Sequence, residues 1–150
     1  MKIICSAILL TTLFLFCVPN TNACSCAAGM QPDYEAWMAD QQRVLFSGKV
    51  IKMEPVLYHF PNGEAREMAW KITFEIKKSW KNVKGEKITI TTGNGRGDCG
   101  YKFKLDEEYF VDAQKTEKEI YTGICSWTQK LAQAKDIIQT LNQREQERPR

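Results

Sequence analysis

Trp70-Lys71-Ile72-Thr73-Phe74-Glu75-Ile76-Lys77-Lys78-Ser79-Trp80 is the stretch that decides the fold. Trp70, Ile72, Phe74, Ile76 and Trp80 fall on one face, and Lys71, Thr73, Glu75, Lys77 and Ser79 on the other. This is the period of two expected of a long, half-buried strand. The apolar stripe reads as core and not as a stacking platform for bases, which leaves Lys77, Lys78 and Lys81 as a solvated edge.

Working toward the N-terminus, Glu54 to Glu67 contains Pro55, Pro61 and Asn62-Gly63, the residues of turns. It is expected to be a long hairpin connection that projects from the sheet. Before it, Val44, Phe46, Gly48 and Val50 alternate with outward residues as a second strand. Gln31 to Gln42 reads as a helix, with Pro32 and Asp33 in its first turn and Tyr34, Trp37, Met38 and Gln41 on one face.

Toward the C-terminus, Val83-Lys84-Gly85 turns into a strand at Lys87 to Thr92, with Ile88 and Ile90 inward. A glycine-rich loop, Gly93 to Asp98, leads to Cys99. Tyr101, Phe103 and Leu105 alternate, as do Tyr109 and Val111, and Ile120 to Ile124 is a further short strand. A final helix carries Leu131, Ala134, Ile138 and Leu141 on one stripe, and its polar end, Gln143 to Arg150, is expected to fray. The pattern predicts a mainly β domain with flanking helices, an OB-fold-like Greek-key barrel of about five strands. A β-sandwich is the alternative, for which the strand count is low.

The chain opens like an exported protein. Lys2 precedes an apolar run from Ile3 to Cys17, broken only by Ser6, Thr11 and Thr12. Pro19-Asn20 ends the run, and Thr21-Asn22-Ala23 offers small residues for cleavage. Residues 1–23 are therefore expected to be a signal peptide and residues 24–150 a single domain, with no membrane span in the mature chain. A retained anchor would need about 20 apolar residues, more than this run supplies. Lipidation at Cys24 would favour a leucine-like residue where Thr21 stands. A secreted or periplasmic location follows. The net charge of +3 is too small to imply nucleic acid or an anionic membrane as partner. Export makes the four mature cysteines, Cys24, Cys26, Cys99 and Cys125, two disulfides. Joining Cys24 to Cys26 would strain a short ring. Either of the two other pairings pins the N-terminus to the domain.

The mature start Cys24-Ser25-Cys26, the context Asp98-Cys99-Gly100-Tyr101, and Tyr121-Thr122-Gly123-Ile124-Cys125-Ser126 together resemble the N-terminal inhibitory domain of the tissue inhibitors of metalloproteinases, members of the netrin-like group. The resemblance covers nearly the whole mature chain. It implies bridges Cys24–Cys99 and Cys26–Cys125, and a minimal single-domain monomer. Ala28 stands where the family commonly has proline, and Asp98 where it often has an apolar residue.

The resemblance further implies a protein inhibitor of zinc metalloproteases, not an enzyme, with no cofactor of its own. The α-amine and carbonyl oxygen of Cys24 would chelate the zinc of the target protease at the position that water holds in the free enzyme. Only a chain terminus offers this pair. Ser25 would point into the protease pocket beside the metal, and its small size implies broad selectivity. The inhibitory ridge would comprise Cys24, Ser25, Cys26, Ala27 and Ala28, flanked by Arg96, Gly97 and Asp98. Tyr58, His59 and Phe60 on the projecting connection would add a secondary contact. The bland readings are a structural bridge for Cys24, a surface position for His59 and a turn for Arg96-Gly97-Asp98. The rival function is a netrin-like extracellular binding module without inhibitory activity.

Overall fold

The structure is a computed structural model that describes residues 24, 26 and 31–147. Its elements are α1 (Tyr34–Ala39), β1 (Arg43–His59), β2 (Ala65–Lys81), β3 (Lys87–Gly93), β4 (Glu108–Lys115), β5 (Ile120–Thr122), β6 (Gln129–Lys130), a 3-10 turn (Leu131–Gln133) and α2 (Lys135–Glu147). β1 pairs with β2 on one side and with β4 on the other; β3 continues from β2, lies parallel to β5, and β5 pairs with β4. Five strands thus close in a ring, and β6 adds to the outside of β4.

Alternate side chains of the strands fill the ring with Val44, Phe46, Val50, Ile72, Phe74, Ile90, Tyr109, Val111 and Ala113, and Phe103 joins them from the segment between β3 and β4, where the alternation of Tyr101, Phe103 and Leu105 forms no strand. Phe74 sits edge-on to Phe46 and Phe103, both with ring centroids 5.3 Å away. Such pairs add about 0.5–1.5 kcal/mol each beyond area burial. A second core lies outside the ring, where Leu45 and Phe110 meet Trp37 of α1 and Ala134, Ile137 and Leu141 at the C-terminal end. The two helices therefore cover the residues of β1 expected to face outward. Val44, Leu45, Phe46, Ser47 and Gly48 are all buried, in place of the alternation read from sequence.

Trp80 also departs from the expected face. Gly48 pairs with Ile76 but Ser47 with Lys78, so Lys77 is an extra residue in the ladder. A bulge of this kind exchanges the two faces beyond it. Trp80 consequently joins the outer core, its ring tilted against Phe110 with centroids 5.8 Å apart, while Trp70, Ile72, Phe74 and Ile76 stay with the ring. The lysines around the bulge are solvent-accessible, Lys77 exposed and Lys78 and Lys81 half-buried, and each has a partner. Lys77 pairs with Glu108, Lys78 with Glu145 of α2, and the Lys81 ammonium donates to the Met38 carbonyl.

The segment read as a long connection is mostly strand. β1 and β2 are paired from Leu45–Lys81 out to His59–Ala65, leaving only 60–64 as the tip. β4 leaves β1 after Lys49, and β3 reaches β2 only as far as Ala69. The rest is a two-stranded arm, with Leu57, Tyr58 and Met68 about half exposed (51, 55 and 51%). The helix expected over 31–42 is shorter. Asp33 caps its start by accepting the Ala36 N–H at 3.0 Å, and Asp40 leaves helical geometry at its end. The strand read over 120–124 stops at Thr122, Leu105 is exposed, and α2 remains helical to Glu147.

Candidate functional site at the cross-linked chain start

Four cysteines and three glycines build one platform. Cys24 is bonded to Cys99 and Cys26 to Cys125, with Cα separations of 5.6 and 5.1 Å. These are the pairings that the resemblance implies. Cys24 is half-buried, and Cys26 and Cys125 are exposed. The two receiving segments also hold each other. Ile124 N–H donates to the Cys99 carbonyl at 2.8 Å, and Gly100 bridges Gly123. A Cβ on Gly100 would lie 2.1 Å from the Gly93 carbonyl oxygen, so no other residue lets these backbones approach as they do.

Asp98 staples the loop that leads to Cys99. Its carboxylate accepts N–H bonds from Asn94 at 2.7 Å, Gly95 at 2.8 Å and Gly100 at 3.2 Å. Partial burial pushes its pKa up, but the N–H donors of Asn94, Gly100 and Gly95 outweigh this and hold it below the usual range. The neighbouring Tyr121 hydroxyl donates to the Asp98 carbonyl at 3.4 Å; burial, and then the Asp98 charge, raise its pKa. Sequence reasoning placed Asp98 in a contact ridge. It did not find this internal role, although aspartate after a run of loop glycines is a turn signal.

Beneath Cys125 lies a buried polar network that the sequence did not announce. Asp112, 1% exposed, is held by Arg43 through Nε at 2.7 Å and Nη2 at 3.1 Å. It accepts the Trp127 N–H at 3.1 Å, while the Thr122 and Thr128 hydroxyls donate to its backbone carbonyl at 2.7 and 3.0 Å. Ser126 Oγ stands 2.9 Å from Thr122 Oγ1 and donates to the Gly123 carbonyl. The segment bearing Cys125 is thus fixed from inside, as its bridge fixes it from outside.

The structure brings several expected residues to one end. Arg96 and Gly97 are exposed beside Asp98 and Cys99. Asn94 Nδ2 donates to the Glu67 carbonyl at 2.8 Å and so ties this loop to the arm. Tyr58, His59 and Phe60 lie at the far end of that arm. The Tyr58 ring meets Phe60 edge-on at 4.8 Å, and Arg66 caps Phe60 at 5.3 Å. Ser25, Ala27, Ala28 and the leader lie outside the described residues. A groove of about 910 Å³, with Lys78, Trp80, Leu131, Ile138 and Asn142 among the residues lining it, shares no residue with this platform.

Among the described residues no three of His, Cys, Asp and Glu stand close enough to hold a metal, and no helix is long and apolar enough to cross a membrane. No protein-family model matches the chain, and no curated protein matches it.

Proposed function

We propose that the protein is a secreted inhibitor of zinc metalloproteases, built on a netrin-like barrel of the OB type and acting through its processed N-terminus. The observation that carries this reading is the pair of bridges holding Cys24 and Cys26 against Cys99 and Cys125. A free terminus would lose about 1–2 kcal/mol of backbone entropy per residue on docking; a tethered one has lost most of it already. After cleavage behind Ala23, the amine and carbonyl of Cys24 form a five-membered chelate aimed at one metal ion. The zinc belongs to the target protease and keeps an open position for such a ligand. The closed, non-sequential strand order supports an OB-type barrel.

The amine must shed its proton to bind. With an α-amino pKa of about 7.7–8.0, inhibition weakens as pH falls below that range. Adding one alanine ahead of Cys24 moves the amine off the platform and leaves the bridges in place. The extended protein is expected to keep its thermal midpoint and lose inhibition of a susceptible metalloprotease. Equal inhibition by the extended form would refute the chelation reading. The exposed Leu57, Tyr58 and Met68 of the arm favour a second reading, an extracellular binding module, in which the extension changes nothing.

A further inference from the structure

The chain contains two Asn-Gly pairs in loops, and their surroundings differ. We propose that Asn62 at the tip of the arm is a site of spontaneous deamidation, and that Asn94 is protected from the same reaction by the Asp98 staple. In the reaction the Gly63 backbone nitrogen attacks the Asn62 side-chain carbonyl carbon. A new C–N bond forms, the bond to the side-chain NH2 breaks, and ammonia leaves with the proton from Gly63. Water then opens the cyclic imide to aspartate or isoaspartate.

Three observations separate the sites. First, space: among the described residues nothing lies within 4 Å of where a Cβ on Gly63 would be, whereas at Gly95 the Lys102 side chain is 3.0 Å away. Second, the leaving group: Asn94 Nδ2 is held by the Glu67 carbonyl at 2.8 Å, and Asn94 Oδ1 accepts the Arg96 N–H at 2.8 Å. At Asn62, among the described residues, the oxygen alone is engaged, by the Glu64 N–H at 3.1 Å. Third, the attacking nitrogen: Gly95 N–H is bound to the charged Asp98 carboxylate at 2.8 Å, and Gly63 N–H to the neutral Phe60 carbonyl at 3.0 Å. Bonds to charged groups are the stronger kind. A hairpin tip also opens more readily than a loop cross-linked into the fold. The product adds a negative charge beside Tyr58 and Phe60, and isoaspartate lengthens the backbone of the turn. This inference is independent of the proposed inhibition.

The test incubates the full secreted protein at mildly alkaline pH and follows both peptides by mass spectrometry, with isoaspartate detected by enzymatic methylation. Asn62 is expected to convert at least roughly tenfold faster than Asn94, reflecting the bonds that must break at each site. Asn62→Gln should abolish the main product. Asp98→Asn should speed conversion at Asn94, and so should denaturation of the unmodified protein, which covers the case where that variant fails to fold. Comparable rates at the two sites in the folded protein would overturn the proposal. So would an Asn62 that stays intact while the same peptide, cut from the protein, converts.

Discussion

Replacing Cys26 and Cys125 together by serine removes one bridge and leaves Cys24–Cys99 intact. The two bridges span 75 and 99 residues. Each acting alone would restrict the unfolded chain by about 4.5 and 4.7 kcal/mol. They do not act alone, because Cys24 adjoins Cys26 and Cys99 precedes Cys125 by a short segment. With the first bridge in place, the second closes a ring of only roughly 30 residues, equivalent to about 3.6 kcal/mol. The reciprocal deletion gives nearly the same value. Either single deletion should therefore cost about 3.5 kcal/mol and lower the thermal midpoint by about 10–15 °C. Losing both should cost roughly 8 kcal/mol, comparable to the whole stability of an ordinary domain. Equilibrium denaturation of the oxidised variants measures this, and under the proposed inhibitory reading the single-bridge form should bind its target roughly tenfold more weakly as the terminus loosens. A cost below about 1 kcal/mol for one bridge would refute the reasoning, since it would mean that the platform already holds the chain start without that bond.

Arg43→Met leaves the Asp112 carboxylate, 1% exposed, without its cation. It should cost about 3–5 kcal/mol in denaturation, with little dependence on salt because the pair is shielded from solvent. Acid stability provides the next check. Asp98 is held low by backbone donors that outweigh its burial, Asp40 by the Gln114 side chain and then the Gln42 N–H, and Glu107 by Lys130 and then Tyr109. Depressed carboxylates stabilise fully above the unfolded value of about 4 and lose this contribution as pH falls through the folded value. Denaturation midpoints should thus be flat near neutrality and drop below about pH 4, less steeply in Asp98→Ala. An unchanged acid limb in that variant would remove Asp98 from the account.

Much of the ring was legible because its strands bury one face. Ile72, Phe74, Ile76, Ile88, Ile90, Tyr109 and Val111 all turn toward the ring as their spacing predicts. Reading failed where a second layer covers the other face. Leu45 and Phe110 are apolar on the outer side because α1 and α2 lie over them, and alternation cannot register burial on both sides. Trp80 was misassigned because one inserted residue, Lys77, inverts the pattern beyond it, and no local signal marks the bulge. Pro55 suggested a connection, yet proline is tolerated on the unpaired edge of the arm.

At the candidate site, sequence alone determined the reagents. A cysteine as the expected first mature residue, a second cysteine two positions on, and two distant partners require a chain start bound to the body of the domain. Tertiary structure decided what surrounds that start. It placed Gly100 against Gly93, turned the Asp98 carboxylate into its own loop, and set Arg43 and Asp112 beneath Cys125. The physical reason is distance along the chain. Spacing and periodicity report contacts within a few residues, whereas Arg43 and Asp112, 69 positions apart, meet only once the ring has closed.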